Sequence, residues 1–376
     1  MQRIRVLATL CLVTRLVPGR SLPAQSVPEW RFTEELRIGS ERDDPTGFSD
    51  VRGVLADRKG NIWVLEASTQ EIRVFDPAGK HLRNVGRKGQ GPGEFIYADG
   101  MALAPDGLIW VHDPQNARFS IFDQDGKFVR QQLAVANGYG YVWVGGIDRH
   151  GRIWDQLLIR DPNDPQSLRM RRAVPDWSKV DTLRMPRCSS PGTQPEASAF
   201  KLPHGYAGIP FFPGPIYAID YYAGAVWCGP TSAEYRLSKI GVEPRDTLVR
   251  IVRSVAALPV TGDEREAAIA KIKEFMKKVG DNVSLDWSRI PKSKPILQNA
   301  FVDQDGRLWV RRTSLDKQAD FDLYSAEGKP LATLRIGMPV KDYPHALVRG
   351  GTAYLISQEE GEIPYIVRGR FGPARP

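Results

Sequence analysis

The sequence predicts an all-β chain, folded as a six-bladed β-propeller of four-stranded antiparallel blades. Three observations carry that expectation. The 376 residues include 35 Gly and 29 Pro, a load of turn formers that suits many short strands better than long helices. A motif of Gly, two residues and a large aromatic recurs as Gly60-Asn-Ile-Trp63, Gly107-Leu-Ile-Trp110, Gly151-Arg-Ile-Trp154, Gly224-Ala-Val-Trp227, Gly306-Arg-Leu-Trp309 and Gly351-Thr-Ala-Tyr354. Around each copy lie short β-rich runs separated by Asp, Gly and Pro turns.

The glycine spacings are 47, 44, 73, 82 and 45. Three sit near one period, and the two long ones read as insertions into a repeat rather than as lost repeats. Five of the nine tryptophans occupy the same repeat position, so they are expected to be structural and to pack between blades. In the first copy, strand-like runs at 51–56, 62–65, 71–75 and 80–85 alternate with turns at 57–60 and 76–79. The second copy repeats the plan over 98–133. Four strands in about 45 residues make one blade. The expected blades are 51–85, 98–133, 142–184, 215–254, 296–335 and 344–370, within a propeller spanning 30–371.

Phe75-Asp-Pro-Ala-Gly-Lys80, followed by Gly86-Arg-Lys-Gly-Gln-Gly-Pro-Gly-Glu-Phe95, resembles the NHL repeat. The match is strongest over 51–130, good at 296–335 and degenerate at 142–254 and 344–370. This resemblance implies a six-bladed propeller. It says little about activity, because the architecture hosts lactonases, lyases, sugar dehydrogenases and pure binding proteins.

The remaining elements follow in order. Residues 1–24 read as a signal peptide: Arg3 and Arg5, an apolar stretch through Val17, then Leu22-Pro23-Ala24. Cys11 belongs to that stretch. Export to the periplasm or the extracellular space is therefore expected, and no later run is long enough to span a membrane. The last copy offers only three strands, so residues 30–38 are expected to supply its outer strand and remove an exposed edge. Residues 255–295 form an insertion with one helix. Thr261-Gly-Asp-Glu264 is a capping box, Ile269, Ile272, Phe275, Met276 and Val279 follow at helical spacing, and Lys271, Lys273, Lys277 and Lys278 make a solvated face. Residues 371–376 read as a short tail.

Composition excludes several classes. With 41% hydrophobic and 26% charged residues, the chain is neither disordered nor a polytopic membrane protein. Arg3, Arg5, Arg15 and Arg20 supply four of the +8 net charge, so the remainder carries no nucleic-acid signature. Cys188 and Cys228 could pair in an oxidising compartment, stapling the 185–215 loop to its neighbouring blade, or stay as separate buried thiols. There is no Cys-x-x-Cys, no His-Glu-x-x-His and no Gly-x-Ser-x-Gly. The Gly86 to Gly93 run lacks a P-loop ending. Asp123-Gln-Asp-Gly126 and Asp303-Gln-Asp-Gly306 read as hairpin turns.

The long irregular segments 86–99, 156–167, 185–215 and 255–295 all fall on the face that receives the blade-to-blade connections. Counting eight residues back from each anchor glycine, toward the channel, gives Arg52, Asp99, Trp143, Ile216, Gln298 and Tyr343. Seven back gives Gly53, Gly100, Val144, Tyr217, Asn299 and Pro344, and six back includes His345. Ligand contact is expected around Arg52, Asp99, Tyr217, Gln298, Asn299, Tyr343 and His345, with Arg87, Lys88 and Arg118 nearby to favour an anion. Arg52 is expected to pair with Asp99, the one acid of the ring, which discourages a divalent cation. The resulting expectation is a non-enzymatic, monomeric binding protein for a ligand or protein partner, without cofactor and without nucleic acid. The alternative is a lyase or lactonase with a divalent metal in the channel, assisted by Asp50, Asn299 and His345.

Overall fold

The anchor motif sets the geometry of every blade. The computed structural model describes residues 27–41, 44–133, 142–143, 145–158, 168–186, 188, 195–316, 318–358 and 363–373. The expected signal segment 1–24 lies outside the described residues. All six anchor glycines have φ between +59° and +90°, a left-handed conformation that a Cβ resists. Each glycine lies in the hairpin turn between a blade's first and second strands, and the aromatic residue follows in the second strand. Trp63, Trp110, Trp154, Trp227 and Trp309 are all 2% exposed or less. In three blades an aspartate six residues earlier locks the indole. Asp57, Asp148 and Asp303 accept its N–H at 3.1, 2.9 and 2.8 Å, and each also accepts backbone N–H groups of the turn.

The blades are antiparallel sheets. The first comprises Val51–Ala56, Ile62–Glu66, Glu71–Phe75 and His81–Val85. The second comprises Gly100–Leu103, Ile109–Asp113, Arg118–Phe122 and Phe128–Leu133. The third begins with the two-residue strand Gly146–Ile147 and continues through Ile153–Leu158, Leu168–Ala173 and Val180–Arg184. The fourth has Ile216–Asp220, Ala225–Gly229, Tyr235–Gly241 and Thr247–Arg253. The fifth has Leu297–Val302, Leu308–Arg312, Ala319–Tyr324 and Pro330–Ile336. The sixth contributes Leu347–Arg349, Thr352–Ser357 and Tyr365–Pro373.

Its outer strand is Glu29–Ile38, antiparallel to Tyr365–Pro373 with Ile38 opposite Ile366 and Phe32 opposite Phe371. The same strand also pairs in parallel with blade five, Glu29 opposite Thr333. Blades five and six are thereby joined in one eight-stranded sheet. Residues 371–373 are not a tail, contrary to the sequence expectation. Phe371 is buried against Trp309 and Trp30, because the closing strand needs a partner along its whole length.

The core sits between blades rather than at a single centre. Six clusters fill the six interfaces, with Phe95 and Phe122 between blades one and two, and Trp154, Val226 and Cys228 between three and four. The blade-six to blade-one interface packs Ile356 and Ile366 on Val64 and Phe75, which closes the ring.

A seventh cluster is separate. The helix Gly262–Lys278 starts at the Thr261–Glu264 capping box and buries Ile272 and Met276. They pack against a hairpin, Ala199–Leu202 with Gly205–Gly208, and against Ile290. The two insertions thus fold onto each other. Phe275 and Val279 are 44% and 40% exposed, because the hairpin covers a narrower stripe than the helical spacing suggests. Among the described residues, no helix is long and apolar enough to cross a membrane.

Candidate functional site

Each innermost strand starts at the face where the blade connections arrive, so residues at strand starts ring the mouth of the channel. A cavity of about 670 Å³ opens there, walled by Arg52, Tyr217, Tyr221, Phe301, Lys341, Tyr343 and His345. A narrower space of about 200 Å³ continues down the bore past Gly53, Gly100, Gly146 and Ala346. The wall is mostly aromatic. His345 stacks on Phe301 at 5.2 Å between ring centroids and leans on Tyr343 at 4.6 Å. Burial pushes the His345 imidazole down to about 4. Burial also raises the Tyr343 and Tyr221 hydroxyls, so both phenols stay neutral.

The polar groups have defined partners. Arg52 donates from Nε to both Asp50 oxygens, at 2.8 and 2.9 Å, and sits 5.7 Å from the Tyr97 ring centroid. The Asp50 carboxylate holds that guanidinium firmly in its charged form. Asn299 donates to the Asp342 carbonyl at 3.0 Å and accepts from the Tyr343 hydroxyl at 3.5 Å. Arg311 donates to the Val340 carbonyl and pairs with Asp342 at 2.8 Å. These bonds fix the connection that carries Lys341, Tyr343 and His345. Lys341 is half-buried, and desolvation lowers its pKa below the ordinary lysine value. Among the described residues its ammonium has no hydrogen bond or ion pair.

The structure sorts the sequence candidates. Arg52, Tyr217, Tyr343 and His345 meet at the cavity, and Asn299 stands behind Tyr343. Asp99 does not pair with Arg52. It is 2% exposed and bonded at 2.7 Å to Nδ1 of His112, whose ring stacks on Trp143. The Arg52 partner is Asp50, two residues away, which reaches the guanidinium without crossing to another blade. Gln298 faces a different hollow, beside Pro215, Leu315 and Lys294. Trp143 lines the narrower bore and covers Gly100, where a Cβ would come within 2.7 Å of its own. Arg87 pairs with Glu94, and Arg118 donates to the Gly91 and Glu94 carbonyls, so both brace the 86–95 loop instead of the mouth. His204 pairs with Asp281 across the contact between the two insertions. Val144 lies outside the described residues.

Sequence reasoning missed Lys341, Tyr221 and Phe301. Lys341 precedes the sixth blade's first strand, where no repeat position exists to count. Phe301 stands five residues before its glycine, one step past the positions counted, where the other blades hold Leu55, Ala102, Gly146, Ile219 and Ala346. Cys188 and Cys228 form a disulfide with Cα atoms 5.6 Å apart. Cys228 is the register partner of Tyr217, so the bridge backs the cavity wall. Among the described residues, no three His, Cys, Asp or Glu side chains gather to hold a metal ion.

Residues 48–105 match the family model DUF5128, described as a 6-bladed beta-propeller. The chain is a six-bladed β-propeller. A solved member of the DUF4221 family from Bacteroides vulgatus ATCC 8482 superposes with a TM-score of 0.51, at 13% identity over 92% of this chain and 99% of that one. The selenomethionine-substituted virginiamycin B lyase of Staphylococcus aureus gives 0.40, at 12% identity over 87% of this propeller and 82% of the lyase. A gluconolactonase from Xanthomonas campestris gives 0.43, at 12% identity over 91% and 96%. At these identities the likeness concerns the fold alone. No curated protein matches the chain.

Proposed function

We propose that this chain is an exported, non-enzymatic propeller that binds a small molecule at the mouth of its channel. The observation that carries the reading is the aromatic-walled cavity of about 670 Å³, a size within the range of about 300–1,000 Å³ usual for ligand pockets. Residues from five of the six blades or their connections meet there. A purely structural channel would be satisfied by small apolar side chains, and this mouth instead presents a guanidinium, an ammonium, phenols and an imidazole. Arg52, Tyr217, Tyr343 and His345 contact the ligand, while Asn299 holds Tyr343 in place. Asp99 acts only through His112, as part of the neighbouring blade, and Gln298 takes no part.

Export rests on the signal-like residues 1–24, and a disulfide suits an oxidising compartment. The repeats are of NHL type on the strength of Phe75-Asp-Pro-Ala-Gly-Lys80 and the glycine-rich run after it. The test is a thermal-shift screen of small molecules against the wild type, Arg52→Gln and His345→Gln. Hits are expected to weaken in both variants while the fold is retained. Hits that survive both changes and vanish on deleting 262–280 would move the site to the helical insertion and overturn the reading.

A further inference from the structure

We infer that the molecule held at this mouth is an aromatic anion, with its ring against Phe301, Tyr343 and His345 and its acid group on the ammonium of Lys341. The inference rests on the channel-mouth reading above and adds the chemical class of the ligand.

The argument starts from hydrogen-bond accounting. Two carboxylates stand near Lys341, and both are already engaged. Asp50 holds Arg52 with both oxygens. Glu66 is fully buried and accepts the backbone N–H groups of Ser49, Asp50 and Ser68. Among the described residues, no acceptor reaches the Lys341 ammonium directly. A partly buried ammonium facing an aromatic cavity is poorly served unless something supplies an acceptor. An anionic ligand supplies it, and charge-assisted bonds of this kind are the stronger ones. Burial lowers the Lys341 pKa against the opposing pull of Asp50 and Glu66, with Arg52 adding to the lowering, and an anion at the ammonium would favour its charged form. The ring preference comes from the walls. The faces around the cavity are Tyr217, Tyr221, Phe301, Tyr343 and His345, and only flat groups stack on several such faces at once.

The test uses two dyes on the full chain. The first is 8-anilinonaphthalene-1-sulfonate, an aromatic anion. The second is N-phenyl-1-naphthylamine, the same skeleton without the sulfonate. Both are titrated by fluorescence into the wild type, Lys341→Met, Lys341→Arg and Tyr343→Ala. The expected result is a loss of about tenfold in affinity for the sulfonate in Lys341→Met, the size of one charge-assisted contact. The neutral dye is expected to be unchanged in Lys341→Met, the sulfonate to be retained in Lys341→Arg, and both dyes to weaken in Tyr343→Ala. Should Lys341→Met fail to fold, Lys341→Gln takes its place. If the neutral dye binds and no Lys341 variant shifts the sulfonate, the anion assignment falls and the cavity reading stands. If neither dye binds the wild type, both fall.

Discussion

Removing the Asp303 carboxylate should cost far more than a surface turn residue normally does. Asp303 is 3% exposed and Trp309 is 0% exposed. Its Oδ2 accepts the Trp309 indole N–H at 2.8 Å and Arg307 Nε at 2.7 Å. Its Oδ1 accepts the backbone N–H groups of Asp305 and Arg307 at 3.0 and 2.8 Å. In Asp303→Ala the indole N–H would stay buried without an acceptor, at about 1–3 kcal/mol. Each turn N–H adds about 0.5 kcal/mol, because water can replace part of the bond. Arg307 keeps Asp305 as a partner at 2.7 Å and adds little. The expected loss is about 3 kcal/mol, read from guanidinium unfolding followed by tryptophan fluorescence and circular dichroism. Asp303→Asn should recover only part of that loss, since its one oxygen can serve either the indole and Arg307 or the two turn N–H groups, and its NH2 then faces the other pair of donors. Blade two supplies an internal control. Ala104 stands where the aspartate would be, and Trp110 Nε1 has no partner among the described residues. Ala104→Asp should therefore gain about 1 kcal/mol. A loss below about 1 kcal/mol for Asp303→Ala would refute the reasoning, since an orphaned buried donor cannot be that cheap.

Other consequences are as direct. Deleting 29–38 should abolish the cooperative melt and promote aggregation, because it exposes the edges of two blades at once; an unchanged melting curve would sink the closure. Cys188 and Cys228 should titrate as no free thiol in the denatured, unreduced protein, and Cys228→Ser should cost up to about 4 kcal/mol for a 40-residue loop. His345, held near pKa 4 against an ordinary 6.5, is neutral in both folded and unfolded chains above that ordinary value. As pH falls from 6.5 towards 4, the unfolded chain takes up a proton that the folded chain refuses. Stability attributable to His345 then falls by up to about 1.4 kcal/mol per pH unit. His345→Gln should flatten that slope, and an equal slope in both proteins would show that other groups carry it.

The ring was legible because its determinants are local and repeated. A glycine that must take positive φ and a large aromatic three residues on, tryptophan in five blades and Tyr354 in the sixth, mark each inner hairpin, whatever the rest of the blade does. The capping box marked the helix for the same reason. The channel side chains were harder to read because their positions depend on phase. Arg52 and Gln298 are each the unpaired extra residue of a β-bulge, between Val51 and Gly53 in blade one and between Leu297 and Asn299 in blade five. A bulge changes where the following side chains point, so counting back from the glycine no longer says which side faces the bore. Both residues stand eight before their glycine with the same bulge, and only their contacts separate them: Arg52 is held at the cavity by Asp50, while Gln298 turns to another hollow. The contact between the two insertions was not legible at all, since a hairpin and a helix about 60 residues apart meet only through tertiary packing.

One comparison across the blades explains why the sixth carries the candidate site. The residue six before each anchor glycine is Val54, Met101, Gly145, Ala218, Ala300 and His345. Five are small or apolar, which is what a packed bore requires, and the sixth is an imidazole. The departure continues outward in the same connection, through Tyr343 and Lys341. That connection is short, running from Ile336 to Leu347, and it is held on both sides. Blade five holds it through Asn299 and Arg311, and blade six holds it where the Lys341 N–H donates to the Ile356 carbonyl. These are the two blades that strand Glu29–Ile38 joins into a single sheet. The seam that closes the ring therefore also fixes the spacing of the blades that present Lys341, Tyr343 and His345. A binding wall placed there gains rigidity from ring closure itself, which no connection between two blades without that shared strand would provide.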